Sequence, residues 1–165
     1  MKNIDDINAM SEGEFIAAFG DVAEHSPWVA QAAARERPFM SRAHLIIAFA
    51  DSLVTADRAA QLDLIRAHPD LATRARLTPD STREQSGVGL DSLTEEEFAR
   101  FTEFNDLHKL TYGFPFIFAV KGATKHQILA AFAERIGKSY DAEFAITLEQ
   151  VQRIIRFRLE ERVAP

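Results

Sequence analysis

The sequence contains no cysteine. That absence excludes a disulfide framework, a thiolate nucleophile, and zinc or iron–sulfur centres held by cysteine, and it fits a reducing compartment such as the cytoplasm. Long apolar runs are missing too. The most hydrophobic stretches, near 43–50 and 114–120, fall far short of the roughly 20 residues a membrane span needs. The opening Met-Lys-Asn-Ile-Asp-Asp carries acids where a signal peptide carries a basic region and an apolar run, and the final Val-Ala-Pro is not a Ser-Lys-Leu peroxisomal address. Neither export nor a membrane partner is expected. Basic charge is in deficit: 19 Lys and Arg stand against 25 Asp and Glu, a net charge of −6, with the arginines scattered among acids. Such a surface repels phosphate backbones, so nucleic acid is not an expected partner.

The motifs of several reaction classes are absent as well. Five histidines and many carboxylates raise the possibility of a metal site, yet there is no His-Glu-x-x-His, no repeated Glu-x-x-His and no Asp-rich calcium loop. Gly87 and Gly89 belong to no phosphate-binding fingerprint, and no Gly-x-Ser-x-Gly elbow occurs.

What is present is an ordinary globular composition, 47% hydrophobic and 27% charged, with 13 Phe to build a core. Its 165 residues suit one domain over 1–165, since no linker or repeat interrupts them. Helix signals recur along the chain. Ser11 with Glu14, Thr94 with Glu97 and Thr124 with Gln127 are spaced as capping boxes, in which each side chain satisfies a free amide at the helix start. Pro27 suits a first helical turn, Pro38 stops that helix, and Ser41 caps the next. Between 56 and 67 the residues Ala60, Leu64 and Ile65 recur at helical spacing, and Pro69 ends the run. Ser81 with Glu84 matches another capping box in an irregular stretch read as turns around one short helix. The apolar Gly-Phe-Pro-Phe-Ile-Phe-Ala-Val is predicted to be buried loop, because Pro115 suits no central strand and no second strand stands nearby to pair with it. About seven helices and no strand make an all-α, single-domain bundle.

Three polar positions stand out against this pattern. His68 continues the apolar face ahead of Pro69, where a helix C-terminus favours the imidazolium and burial opposes it. It reads either as a general acid or base or as a core histidine satisfied by a carbonyl. On the last helix Phe144, Leu148, Val151, Ile154, Ile155 and Leu159 form one stripe, and Arg158 falls inside it while Arg153 and Arg156 point elsewhere. A permanent cation aimed at the core needs an anion, carbonyls or a ligand; a structural ion pair and a binding role both satisfy that. Glu84 and Gln85 sit in a glycine-containing irregular segment of the kind that often carries binding groups, although a cap accounts for Glu84 equally well.

Three segments taken together narrow the choice: His68-Pro69-Asp70-Leu71, then Ser81-Thr82-Arg83-Glu84-Gln85 leading to Gly89-Leu90-Asp91, then Gly113-Phe114-Pro115-Phe116-Ile117. In this order and spacing the chain resembles the OHCU decarboxylase family, whose substrate is 2-oxo-4-hydroxy-4-carboxy-5-ureidoimidazoline. The likeness extends through Asn105 and the Ile-Ile-Arg-Phe-Arg-Leu of the final helix. The resemblance implies an all-α homodimer that converts this acid to (S)-allantoin without metal or organic cofactor. His68 matches the catalytic histidine and Glu84 the catalytic, substrate-holding acid. Pro69, Ser81, Thr82, Arg83, Gln85, Phe116, Ile117, Phe118, Ala119, Val120 and Arg158 match substrate-binding positions. The chain departs from the family at His108, Thr111 and Tyr112, where Tyr, a basic residue and Phe are usual. Two other readings stay open at this point: a helical binding module that has lost the reaction, supported by His108 and Thr111, and a ureide hydrolase with a dispersed metal.

Overall fold

The computed structural model describes all 165 residues. Nine α-helices follow one another: α1 (Ile4–Asn8), α2 (Glu12–Phe19), α3 (Trp28–Ala34), α4 (Arg42–Val54), α5 (Arg58–Arg66), α6 (Pro79–Gly87), α7 (Glu95–Tyr112), α8 (Lys125–Ile136) and α9 (Tyr140–Arg162). There is no strand, only an isolated bridge between Lys2 and Val163. The all-α expectation holds, and the number of helices exceeds the expected seven. The short α1 escapes a periodicity search because five residues complete little more than one turn.

The chain gathers into two compact units, Met1–Ala67 with Val151–Pro165, and His68–Gln150. In the first, the expected caps at Ser11 and Ser41 form, and Asp57 supplies a further one that was not expected. Ser11 and Glu14 form a reciprocal capping box, Ser41 accepts from the His44 amide and Asp57 from the Ala60 amide. Helix α3 lies against both α2 and α4. Its inward face carries Val29 with Ala30, Ala33 and Ala34, and the alanines are small enough to let the helices approach closely. Phe15, Phe19 and Phe49 are fully buried beside it, with the Phe15 and Phe19 rings 5.0 Å apart. Val151, Ile155 and Leu159 of α9 complete this core.

The second unit is built from α6, α7, α8 and the first half of α9. Helix α7 opens on the Thr94–Glu97 capping box and closes at Gly113, whose φ of 75° is a left-handed geometry that a side chain resists. Helix α8 opens on the Thr124–Gln127 box. Phe101, Phe116 and Phe132 form the centre of the core, the last two stacked at 3.6 Å between centroids.

Between α7 and α8 the segment 114–120 runs buried without regular structure, as its sequence predicts. Buried backbone groups need partners, and here side chains supply them. His108 Nδ1 pairs with the Phe114 carbonyl at 3.0 Å, Arg135 Nη1 donates to the Ile117 carbonyl at 2.6 Å, and the Ala119 amide donates to Gln150 Oε1 at 2.9 Å. Three helices thus hold a segment that no neighbouring strand pairs with.

Candidate active site

Helix α5 ends at Arg66, and His68 follows two residues later with 9% of its surface exposed. The ring of Pro69 disfavours helical geometry at the residue before it, so the imidazole leaves the helix axis and sits on irregular backbone. That backbone is unusual four residues beyond His68, where Ala72 adopts φ 58°, a conformation rare for a residue with a Cβ. The segment is fastened at three successive residues. Lys109 Nζ donates to Asp70 Oδ2 at 2.7 Å, Asn105 Nδ2 donates to the Leu71 carbonyl at 2.9 Å, and the Ala72 amide donates to Gln85 Oε1 at 2.9 Å.

Residues 81–85 lie inside α6, and the Ser81–Glu84 capping box expected from the sequence does not form. Thr78 is the cap: its side chain accepts from the Ser81 amide, and Pro79 occupies the first turn. A threonine followed by proline starts the helix three residues earlier than Ser81, because the proline φ is already helical and its missing N–H is no loss there. Within the helix Ser81 and Gln85, one turn apart, are buried; Glu84 beside them is half-buried, while Thr82 and Arg83 face solvent. Arg83 is paired with Asp80 at 2.7 Å. Of the five matched residues, α6 therefore turns two inward and keeps one at the margin.

Below the segment 116–120 lies a buried charge cluster. Arg135 Nε donates to both oxygens of Glu143 at 3.0 Å, and its guanidinium stands 4.2 Å from the centre of the Phe116 ring. His108 Nε2 lies 2.9 Å from Glu143 Oε1. The carbonyl of Phe114 only accepts, so Nδ1 of His108 carries a proton and Nε2 faces the carboxylate. Burial pushes the Glu143 carboxyl up, but hydrogen bonds from His108 and Arg135, together with their charges, outweigh it and hold the group below its ordinary value. Burial, with the Glu143 charge, pushes the nearby Tyr112 phenol up. Arg135 and Glu143 are absent from the candidates read in the sequence. A signal existed for Arg135, which follows Ile128 and Phe132 at helical spacing on the buried face of α8. His108, singled out as a departure from the family pattern, is fully buried in this cluster.

Arg158 belongs to the other unit. It is 2% exposed, as the helical stripe predicts, whereas Arg153 and Arg156 are exposed. Its Nη1 donates to Glu24 Oε2 at 3.0 Å and to the Val22 carbonyl at 3.2 Å. Glu24, itself 2% exposed, sits in the irregular stretch between α2 and α3, where no periodicity marks it as an inward residue.

A half-open groove of about 360 Å³ between α3 and α4, with Arg35, Glu36, His44 and Asp51 in its walls, holds none of the residues read as functional. No three His, Cys, Asp or Glu side chains are grouped to hold a metal ion.

The OHCU decarboxylase family matches residues 8–160. The 2-oxo-4-hydroxy-4-carboxy-5-ureidoimidazoline decarboxylase of Haloferax volcanii is 40% identical over 156 residues, 94% of this chain and 93% of that protein. A uric acid degradation bifunctional protein of Bacillus subtilis is 39% identical over 98% of this chain, which spans 33% of its length. A crystal structure of (S)-allantoin synthase superposes with a TM-score of 0.81 at 30% identity, covering 98% of this chain and 54% of that one. With its motifs matched across nearly the whole length and its helical fold shared, the chain belongs to the OHCU decarboxylase family.

Proposed function

We propose that this protein decarboxylates 2-oxo-4-hydroxy-4-carboxy-5-ureidoimidazoline and releases (S)-allantoin, the last step of urate breakdown. The observation that carries the reading is the near-complete match to the Haloferax volcanii decarboxylase; the burial of His68, which the resemblance assigns as the catalytic histidine, supports it.

The chemistry fits the residues. Breaking the bond to the carboxylate leaves its electron pair on the ring carbon, and the conjugated imine and carbonyl groups of the substrate spread that charge. The substrate acts as its own electron sink, so the reading assigns no metal or organic cofactor. The ring must then gain a proton on one face while the hydroxyl gives one up to become a carbonyl. His68 exchanges these protons, and Glu84 fixes the imidazole and the ureido or hydroxyl groups. Gln85 has its Oε1 committed to the Ala72 amide, so it meets substrate through its Nε2 donor, which suits an oxygen of the acid. Ser81, Thr82, Arg83, Pro69 and the backbone at Phe116, Ile117, Phe118, Ala119 and Val120 are assigned to the pocket wall. The same resemblance assigns Arg158 to the oxygens where negative charge gathers. We read the working protein as a homodimer in the cytoplasm.

The test generates the unstable acid enzymatically from urate, adds this protein, and follows the optical activity of the allantoin. Accelerated appearance of one enantiomer is the expected result; racemic product at the spontaneous rate would overturn the reading.

A further inference from the structure

A proton-transfer group is only as well placed as the chain that carries it, and His68 is carried by irregular backbone. Bonds to Asp70, Leu71 and Ala72 from α6 and α7 fasten that backbone. They are not equivalent. The Lys109–Asp70 pair is partly exposed, with 42% and 30% of the two side chains open to solvent, and such pairs hold geometry weakly. The Gln85 and Asn105 contacts are buried.

Asn105 is the more telling of the two. It sits on α7 with 4% of its surface exposed, on the face that also buries Phe101 and His108. The Leu71 carbonyl only accepts, so the amide nitrogen must face it and the orientation of the side chain follows without ambiguity. The oxygen Oδ1 is thereby committed to the other side, where it is the one buried side-chain polar atom that meets no hydrogen-bond donor. Leaving an acceptor stripped of water in a core works against stability. A leucine, with the same branched skeleton but bulkier methyl ends, would remove that acceptor while leaving the Leu71 carbonyl unpaired instead, so in hydrogen bonding the exchange is close to neutral for the fold. The asparagine therefore adds little to stability that leucine would not, and its distinctive contribution is to set the register of Leu71.

We propose that Asn105 is a positioning residue for His68: by holding the Leu71 carbonyl it fixes the backbone three residues beyond the imidazole and with it the direction in which the ring presents its proton. This rests on the reading that His68 exchanges the proton. Asn105 touches neither substrate nor reacting atoms in this role.

The experiment compares wild type with Asn105→Leu in three measurements: thermal midpoint, steady-state turnover, and the imidazole signals in a long-range proton–nitrogen spectrum. In Asn105→Leu the fold melts within a few degrees of wild type and KM is unchanged. A misplacement on the order of 1 Å lowers kcat by about 10²-fold. The His68 ring signals shift or broaden, whereas those of His25, His44 and His126, outside this segment, stay in place. Should Asn105→Leu not fold, Asn105→Ala carries the same comparison without added bulk. Wild-type kcat with unmoved His68 signals overturns the proposal, whatever the melting temperature. If wild type itself shows no decarboxylation, the functional reading fails, and the spectra alone still decide whether Asn105 orients the ring.

Discussion

At the scale of single residues, the arginine on the last helix shows what a side chain's direction reveals and what it leaves open. A wheel drawn from the sequence turns Arg158 inward, and it is inward, but no pattern names Glu24 as the anion it meets there. Short irregular stretches such as that around Glu24 have no period, so burial in them is decided by packing alone. The consequence is testable. Arg158→Ala takes a charged partner from the buried Glu24 carboxylate, and breaking a buried pair by removing one partner costs about 3–5 kcal/mol. The double variant Arg158→Met/Glu24→Leu removes both charges and is expected to recover most of that stability in urea unfolding. If Arg158 also serves the substrate, as the family resemblance assigns, the double variant regains its fold without regaining kcat/KM. Full recovery of both would make Arg158 a structural residue only.

Helices were the most legible elements, because caps and periodicity are local properties of sequence. The boxes at Ser11, Thr94 and Thr124 all form. The one at Ser81 does not, and the reason is competition: Thr78 and Pro79 open α6 first, so Ser81 and Glu84 become interior residues available for other contacts. Loss of an N-cap side chain costs about 1 kcal/mol. Thr78→Ala should therefore lower stability by about that amount in urea unfolding, whereas Ser81→Ala should leave the start of α6 intact. The segment 114–120 was legible as buried loop from its proline and its lack of a strand partner. Its tethers were not, since His108, Arg135 and Gln150 come from three different helices and only folding brings them to one loop.

At the scale of the whole molecule, the sequence foretold fold class and family. The elements it left dark are those set by long-range pairing, above all the buried Arg135–Glu143–His108 cluster. That cluster makes stability depend on pH in a defined direction. The Glu143 carboxyl lies below its ordinary value of 4.5 in the folded chain. Its contribution is then complete above about pH 4.5 and is lost as pH falls through the lower folded value, because the unfolded chain takes up the proton first. Thermal midpoints measured across pH should decline on the acid side below that point, and in Glu143→Gln the decline should be shallower from a lower plateau. An equally steep acid limb in the variant would place the sensitivity elsewhere.

The proposed chemistry depends above all on His68, the histidine two residues beyond α5. The most direct measurement is the rate of optically active allantoin formation from freshly generated acid with wild type and His68→Asn side by side, each checked for helical circular dichroism. Positioned proton transfer is typically worth about 10²- to 10⁴-fold, so His68→Asn should lose that much turnover with its helices intact. Wild-type turnover in the folded variant would contradict the account.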